Sequence, residues 1–117
     1  MPIVQDIGHL VFEVGDMDTA LRFYRDTLGF KVAGKVDPVW TVLATTGGTL
    51  TLFRTKDPIG CSVGKDGSPL NLHVANFGAA ADALEGAGCP VHRDGESAGS
   101  VRDPWGNVLG LHDHRKG

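Results

Sequence analysis

The stretch Ile7-Gly8-His9-Leu10-Val11-Phe12-Glu13-Val14-Gly15-Asp16, running on through Met17 to Phe30, is echoed at residues 70–91, so that His9 and His73 take equivalent places in two halves of the chain. In each copy a strand histidine is followed by a helix bearing alanine and leucine. Each copy then closes on a glycine before a short strand, at Leu28-Gly29-Phe30-Lys31-Val32 and at Ala87-Gly88-Cys89-Pro90-Val91. A fixed internal repeat of this kind governs the fold before any local propensity does.

Working outward, Ile7 to Val14 alternates. Leu10, Phe12 and Val14 lie on one side and His9, Val11 and Glu13 on the other, the period-two pattern of a strand with one face on a core. Asp16 is placed to cap a helix over Met17–Thr27, with Ala20, Leu21, Tyr24 and Leu28 as its apolar stripe and Gly29 as its stop. Lys31–Val36 and Trp40–Thr45 read as strands around Asp37-Pro38, and Gly47-Gly48 makes a hairpin into Thr49–Arg54. In the second half, Leu70–Ala75 is the histidine strand and Gly78–Glu85 the helix. Val91–Arg93, Ser100–Asp103 and Val108–His112 are the remaining strands, with Asp103-Pro104-Trp105-Gly106-Asn107 as a tight turn. Both halves therefore run β-α-β-β-β. The expected organisation is one domain over residues 1–117: a first module over about 1–54, a glycine- and proline-bearing connection over about 55–69, and a second module over about 70–117.

Composition bounds the function. The chain has 117 residues, 41% hydrophobic and 21% charged, the proportions of an ordinary soluble globule. No segment is long and apolar enough to span a membrane, and the first residues carry neither a basic n-region nor an apolar h-region. The expected compartment is the cytoplasm. The two cysteines, Cys61 and Cys89, sit in different halves without CxxC spacing, which argues for free thiols. A net charge of −3 without a basic run gives nucleic acid no foothold, and no GxGxxG or GxxxxGK[ST] pattern follows a strand to cradle a nucleotide. A small molecule is the expected partner.

Three stretches carry a resemblance: His9 to Asp16, Phe23-Tyr24-Arg25-Asp26-Thr27-Leu28-Gly29-Phe30, and Asp103-Pro104-Trp105-Gly106-Asn107. Together they resemble the glyoxalase, bleomycin-resistance and extradiol-dioxygenase superfamily, the vicinal oxygen chelate proteins. The resemblance implies an α+β fold in which two βαβββ modules form a curled, cup-shaped mixed sheet with helices on the outer face. It also implies a homodimer, often with exchanged modules. In metal-dependent relatives the cup holds a divalent ion such as Zn, Ni, Mn or Fe, bound by the first-strand histidine of each module and by a glutamate from a last strand. His9 and His73 match the histidine places. Thr51 and Gly110 stand at the glutamate places, so both oxygen ligands are missing.

Two imidazoles alone leave a catalytic ion one ligand short of the usual three. His112 shares a strand face with Gly110, but two residues along a strand is about 6.7 Å, against a metal–nitrogen bond of about 2 Å. Asp113 and His114 would have to fold back from the chain's end. The expected function is accordingly a small-molecule binder that sequesters a drug or metabolite, with Trp40 and Trp105 for stacking and Thr51 and His112 as further ligand contacts. The alternative is a divalent-metal-dependent lyase, isomerase or dioxygenase in which His9 and His73 hold the ion and Glu13, on the cup-facing side of its strand, is the base. Arg54 and Arg102, at strand ends, are candidates to meet an anionic group.

Overall fold

The computed structural model describes residues 3–4, 6, 10–62 and 67–113; His9 and His114 lie outside them. The first half is built from β1 (Val11–Val14), α1 (Met17–Leu21), β2 (Lys31–Ala33), β3 (Trp40–Ala44) and β4 (Thr49–Arg54). The second repeats the order with β5 (Leu70–His73), α2 (Phe77–Gly86), β6 (Val91–Arg93), β7 (Ala98–Arg102) and β8 (Val108–His112). Each half forms a four-stranded mixed sheet, ordered β1-β4-β3-β2 and β5-β8-β7-β6. The first-strand pairings β1–β4 and β5–β8 are parallel and the others antiparallel.

The helix starts follow the sequence closely. Asp16 is extended (φ −153°, ψ 126°) and its carboxylate accepts from the Thr19 amide at 2.9 Å and the Thr19 hydroxyl at 2.7 Å. Those two hydrogen bonds hold the Asp16 pKa below the usual carboxylate range. Asn76 does the same for α2, accepting from the Ala79 amide at 3.0 Å. Gly29 and Gly88, at equivalent places in the repeat, share a φ of 88°, a left-handed conformation that L-residues rarely adopt.

One element departs from expectation. The continuous α-helix expected over Met17–Thr27 is α-helical only to Leu21; from Arg22 to Thr27 the backbone widens into a π-helix. Its widened turn is seen in the backbone hydrogen bond from the Leu28 amide to the Phe23 carbonyl at 2.9 Å, which spans five residues, and the Thr27 side-chain hydroxyl also donates to the Arg22 carbonyl at 3.0 Å. In consequence the neighbouring side chains Phe23 and Tyr24 are both buried, with their rings edge to face at 4.9 Å. Leu28, expected on the apolar stripe, is only half-buried. Strand β2 also stops at Ala33, three residues short of its expected end, because Gly34 turns left-handed (φ 84°).

Packing sorts each strand by face, as period-two alternation requires. Phe12 and Val14 of β1, Leu43 of β3 and Leu50 and Leu52 of β4 are all at most 2% exposed and form the core with Met17, Ala20 and Leu21 of α1. In the second half Val101, Leu109 and Leu111 pack with Phe77, Ala81 and Leu84 of α2. The opposite face of each sheet is free of helices.

The halves are joined by a buried polar clamp. Tyr24 donates its hydroxyl to Asp103 Oδ2 at 2.6 Å, and Asn107 Nδ2 donates to the same oxygen at 2.7 Å and to the Glu13 carbonyl at 2.9 Å. Asp103 Oδ1 accepts from the amides of Trp105 and Asn107, and Asn107 Oδ1 accepts from the Cys61 amide. Burial, with the Asp103 carboxylate facing it, pushes the Tyr24 phenol far above its ordinary pKa. The two aromatic- and proline-bearing motifs thus meet each other across the chain.

Candidate functional site

The helix-free face of the first sheet follows from the register. Trp40 stands opposite Phe53, Val42 opposite Thr51, and on the other side Val11 opposite Thr51 and Glu13 opposite Phe53. Trp40 is 42% exposed and its ring meets Phe53 edge-on at 5.8 Å. Val11, on the same face, is also exposed. This face is an aromatic and aliphatic wall. At its centre Thr51 is 1% exposed and its hydroxyl has no hydrogen-bond partner among the described residues, a costly state for a buried polar atom.

The corresponding face of the second sheet is polar. Four residues align across the strands: His92 opposite Ser100, Ser100 opposite Gly110, and Gly110 opposite Asn71. One step along, His73 stands opposite His112, with the two imidazole rings edge to face at 4.5 Å. Asn71, His92, Ser100, Gly110 and His112 line one cavity of about 580 Å³, to which residues 11–54 contribute nothing among the described residues. A second cavity of about 460 Å³ runs between the halves, where Leu28, Phe30 and Leu50 face Leu70, Leu72 and Val74.

The remaining expected residues lie elsewhere. Trp105 packs on Gly15, where a Cβ would come within 2.5 Å of the indole nitrogen, and it lines neither cavity. It belongs to the junction between halves. Glu13 is on the expected face, but its Oε1 accepts from the Ile59 amide at 3.0 Å, which ties the connection between halves to β1. Asp113 is buried and accepts from the Phe77 amide at 2.6 Å, capping the start of α2 rather than turning toward the cup.

The donor set can be tested against a divalent ion. Among the described residues no group of three His, Cys, Asp or Glu side chains converges. At the place where a last-strand glutamate would stand, a Cβ on Gly110 would overlap the Asn71 amide oxygen. That position is filled by an amide from the neighbouring strand. The described residues do not fit the three-ligand site that a catalytic ion takes.

Asn71, His92 and Ser100 escaped the sequence reading. Asn71 lies two residues before His73, and the same alternation that placed His73 on the cup face places Asn71 there. Ser100 carried no signal until β7 was seen to begin at Ala98, two residues before its expected start.

With the geometry in hand, the comparisons converge. The sequence profile of the Glyoxalase/Bleomycin resistance protein/Dioxygenase superfamily matches residues 6–111. The chain belongs to that superfamily. TnmS3, an antibiotic binding protein from a Streptomyces species, is 26% identical, with a TM-score of 0.69 over 94% of this chain and 98% of its own. The fosfomycin resistance protein FosX from Listeria monocytogenes shares the fold at 10% identity, with a TM-score of 0.72 over 97% of this chain and 96% of its own. A 38-residue segment is 47% identical to 3-methylcatechol 2,3-dioxygenase of Pseudomonas putida, which covers 32% of this chain and only 12% of that enzyme. No helix among the described residues is long and apolar enough to cross a membrane.

Proposed function

We propose that this protein binds a small organic molecule in its cup and sequesters it without a metal ion. The observation that carries this reading is the Asn71 amide over Gly110, which occupies the space of the expected carboxylate ligand while leaving a cavity lined by hydrogen-bonding groups. The aromatic wall of Trp40 and Phe53 supplies a planar surface for stacking. Likeness to an antibiotic binding protein over nearly the whole of both chains supports the same class of function. In this reading the cup is completed in a homodimer, the first-sheet wall of one copy facing the second-sheet cavity of its partner. Trp40, Thr51 and His112 are ligand contacts, and Trp105 and Glu13 hold the halves together.

Untagged protein assayed for metal and then screened by thermal shift against planar aromatic and peptide-derived compounds tests this. The expected result is no stoichiometric metal and, at ligand concentrations about 100 times Kd, about 2.7 kcal/mol of added stability, or several degrees in Tm. Shifts seen only with added metal would refute it. The second reading, a divalent-metal-dependent lyase, isomerase or dioxygenase using His9 and His73, has in its favour the His73–His112 pair. It requires metal content to fall in His9→Ala and His73→Ala relative to the parent protein.

A further inference from the structure

We propose that the cross-strand row Glu13–Phe53–Trp40, on the helix-free face of the first sheet, is a cation subsite that takes the ammonium group of an organic amine. The inference rests on the cup being a binding site and names the charge of its ligand.

Register sets the row. Phe53 of β4 pairs with Glu13 of β1 on one side and with Trp40 of β3 on the other. With neighbouring strands about 4.8 Å apart, Glu13 and Trp40 stand about 10 Å from each other across the phenyl ring. The two rings do not stack flat. Their planes meet at 64° with centroids 5.8 Å apart, which makes a corner of two aromatic surfaces. The quadrupole of an aromatic ring attracts a cation placed over its face within about 6 Å of the centroid, so one ammonium group in that corner can meet both rings. Trp40, 42% exposed, keeps part of its indole open to an arriving group, with Glu13 and Phe53 half-buried beside it.

The carboxylates give the site its sign. Glu13 commits only Oε1, to the Ile59 amide, and forms no ion pair among the described residues. At the other end of the row, Asp37 Oδ1 accepts from the Val39 and Trp40 amides at 2.8 and 3.0 Å, and those hydrogen bonds hold its carboxyl below the usual carboxylate range without help from a cation. The cationic side chains of this sheet stand away. Lys31 shares the face but pairs with Ala44, about 13 Å along β3 from Trp40. Arg54 follows Phe53 on the opposite face, where its charge acts on Asp16. A half-buried carboxylate beside two aromatic rings, with no counter-cation of its own, favours a ligand that brings the positive charge. One row along on the same face, the Thr51 hydroxyl is a buried polar atom without a partner among the described residues, and it can accept from an ammonium N–H.

The test uses the full chain, with chelator present throughout, and three matched probes titrated by residue-resolved NMR: benzylamine, which is protonated at neutral pH, benzyl alcohol and benzoate. Benzylamine is expected to bind about fivefold tighter than benzyl alcohol, with benzoate weaker than either, and to shift the amides of Glu13, Trp40 and Phe53 together with the Trp40 indole N–H. Glu13→Gln, which keeps an oxygen for the Ile59 amide, is expected to erase the preference for the amine and leave the alcohol's affinity unchanged. Trp40→Leu is expected to weaken both probes and narrow the gap between them. Equal binding of amine and alcohol by the parent protein overturns the cation subsite and leaves the small-molecule cup standing. A preference for the amine that survives Glu13→Gln overturns it as well, because the ammonium would then sit elsewhere. Binding of no probe overturns the subsite, and the cup falls with it only when the thermal-shift screen is also blank.

Discussion

Tyr24 shows how one side chain couples the halves. Its hydroxyl is buried and donates to Asp103, so Tyr24→Phe removes a hydrogen bond to a charged acceptor and is expected to cost about 2 kcal/mol in denaturant unfolding. The pH dependence has a defined sign. The folded-state pKa is raised above the unfolded value of about 10, so the folded protein keeps a proton that the unfolded chain releases. The stabilisation is complete below about pH 10 and is lost progressively as pH rises beyond it. Stability measured from pH 8 to 11 should fall at the alkaline end in the parent protein, and the Tyr24→Phe variant should lose that part of the slope. An alkaline fall identical in both would show that another group is responsible.

At the scale of elements, α2 is capped twice, by the Asn76 side chain on the Ala79 amide and by the Asp113 carboxylate on the Phe77 amide. Asn76→Ala should therefore destabilise by about 1 kcal/mol, whereas Asn76→Asp should be nearly neutral, as measured by thermal melts. Helix starts, helix stops and most strands were legible because each rests on a local signal: a capping side chain, a left-handed glycine, a run of alternating apolar residues. The π-helix over Arg22–Thr27 was not legible. Nothing in Arg-Phe-Tyr-Arg-Asp-Thr disfavours a regular α-helix, and what accompanies the wider turn is the burial of both Phe23 and Tyr24, the latter bonded to Asp103 some eighty residues along the chain. A distant partner leaves no mark on local periodicity. The filling of the Gly110 site was hidden for a related reason, because it depends on a side chain that comes alongside only through the β5–β8 pairing.

For the whole molecule, the proposed reading sets the wall on one sheet against the polar cavity on the other in a second copy of the chain. Sedimentation equilibrium at micromolar concentration is expected to give about twice the 12.3 kDa of a single chain. A monomeric result would remove the paired cup. The β-α-β-β-β repeat and the superfamily were readable from the sequence because both motifs of the clamp are contiguous in the chain. The helix-free faces were only half readable: His73 followed from the repeat, Thr51 from the resemblance and His112 from alternation with Gly110, while the row His92–Ser100–Gly110–Asn71 became visible only when four strands were laid side by side.

That alternation has an evolutionary consequence. Along β5, β7 and β8, the residues that pack the core and those that line the cavity occupy alternate positions of the same strands: Leu72, Val101, Leu109 and Leu111 against Asn71, Ser100, Gly110 and His112. Selection can therefore exchange the recognition set, one residue at a time, without crossing the stability threshold guarded by the other set. One scaffold can in this way be retuned toward new chemistries while its core sequence stands still.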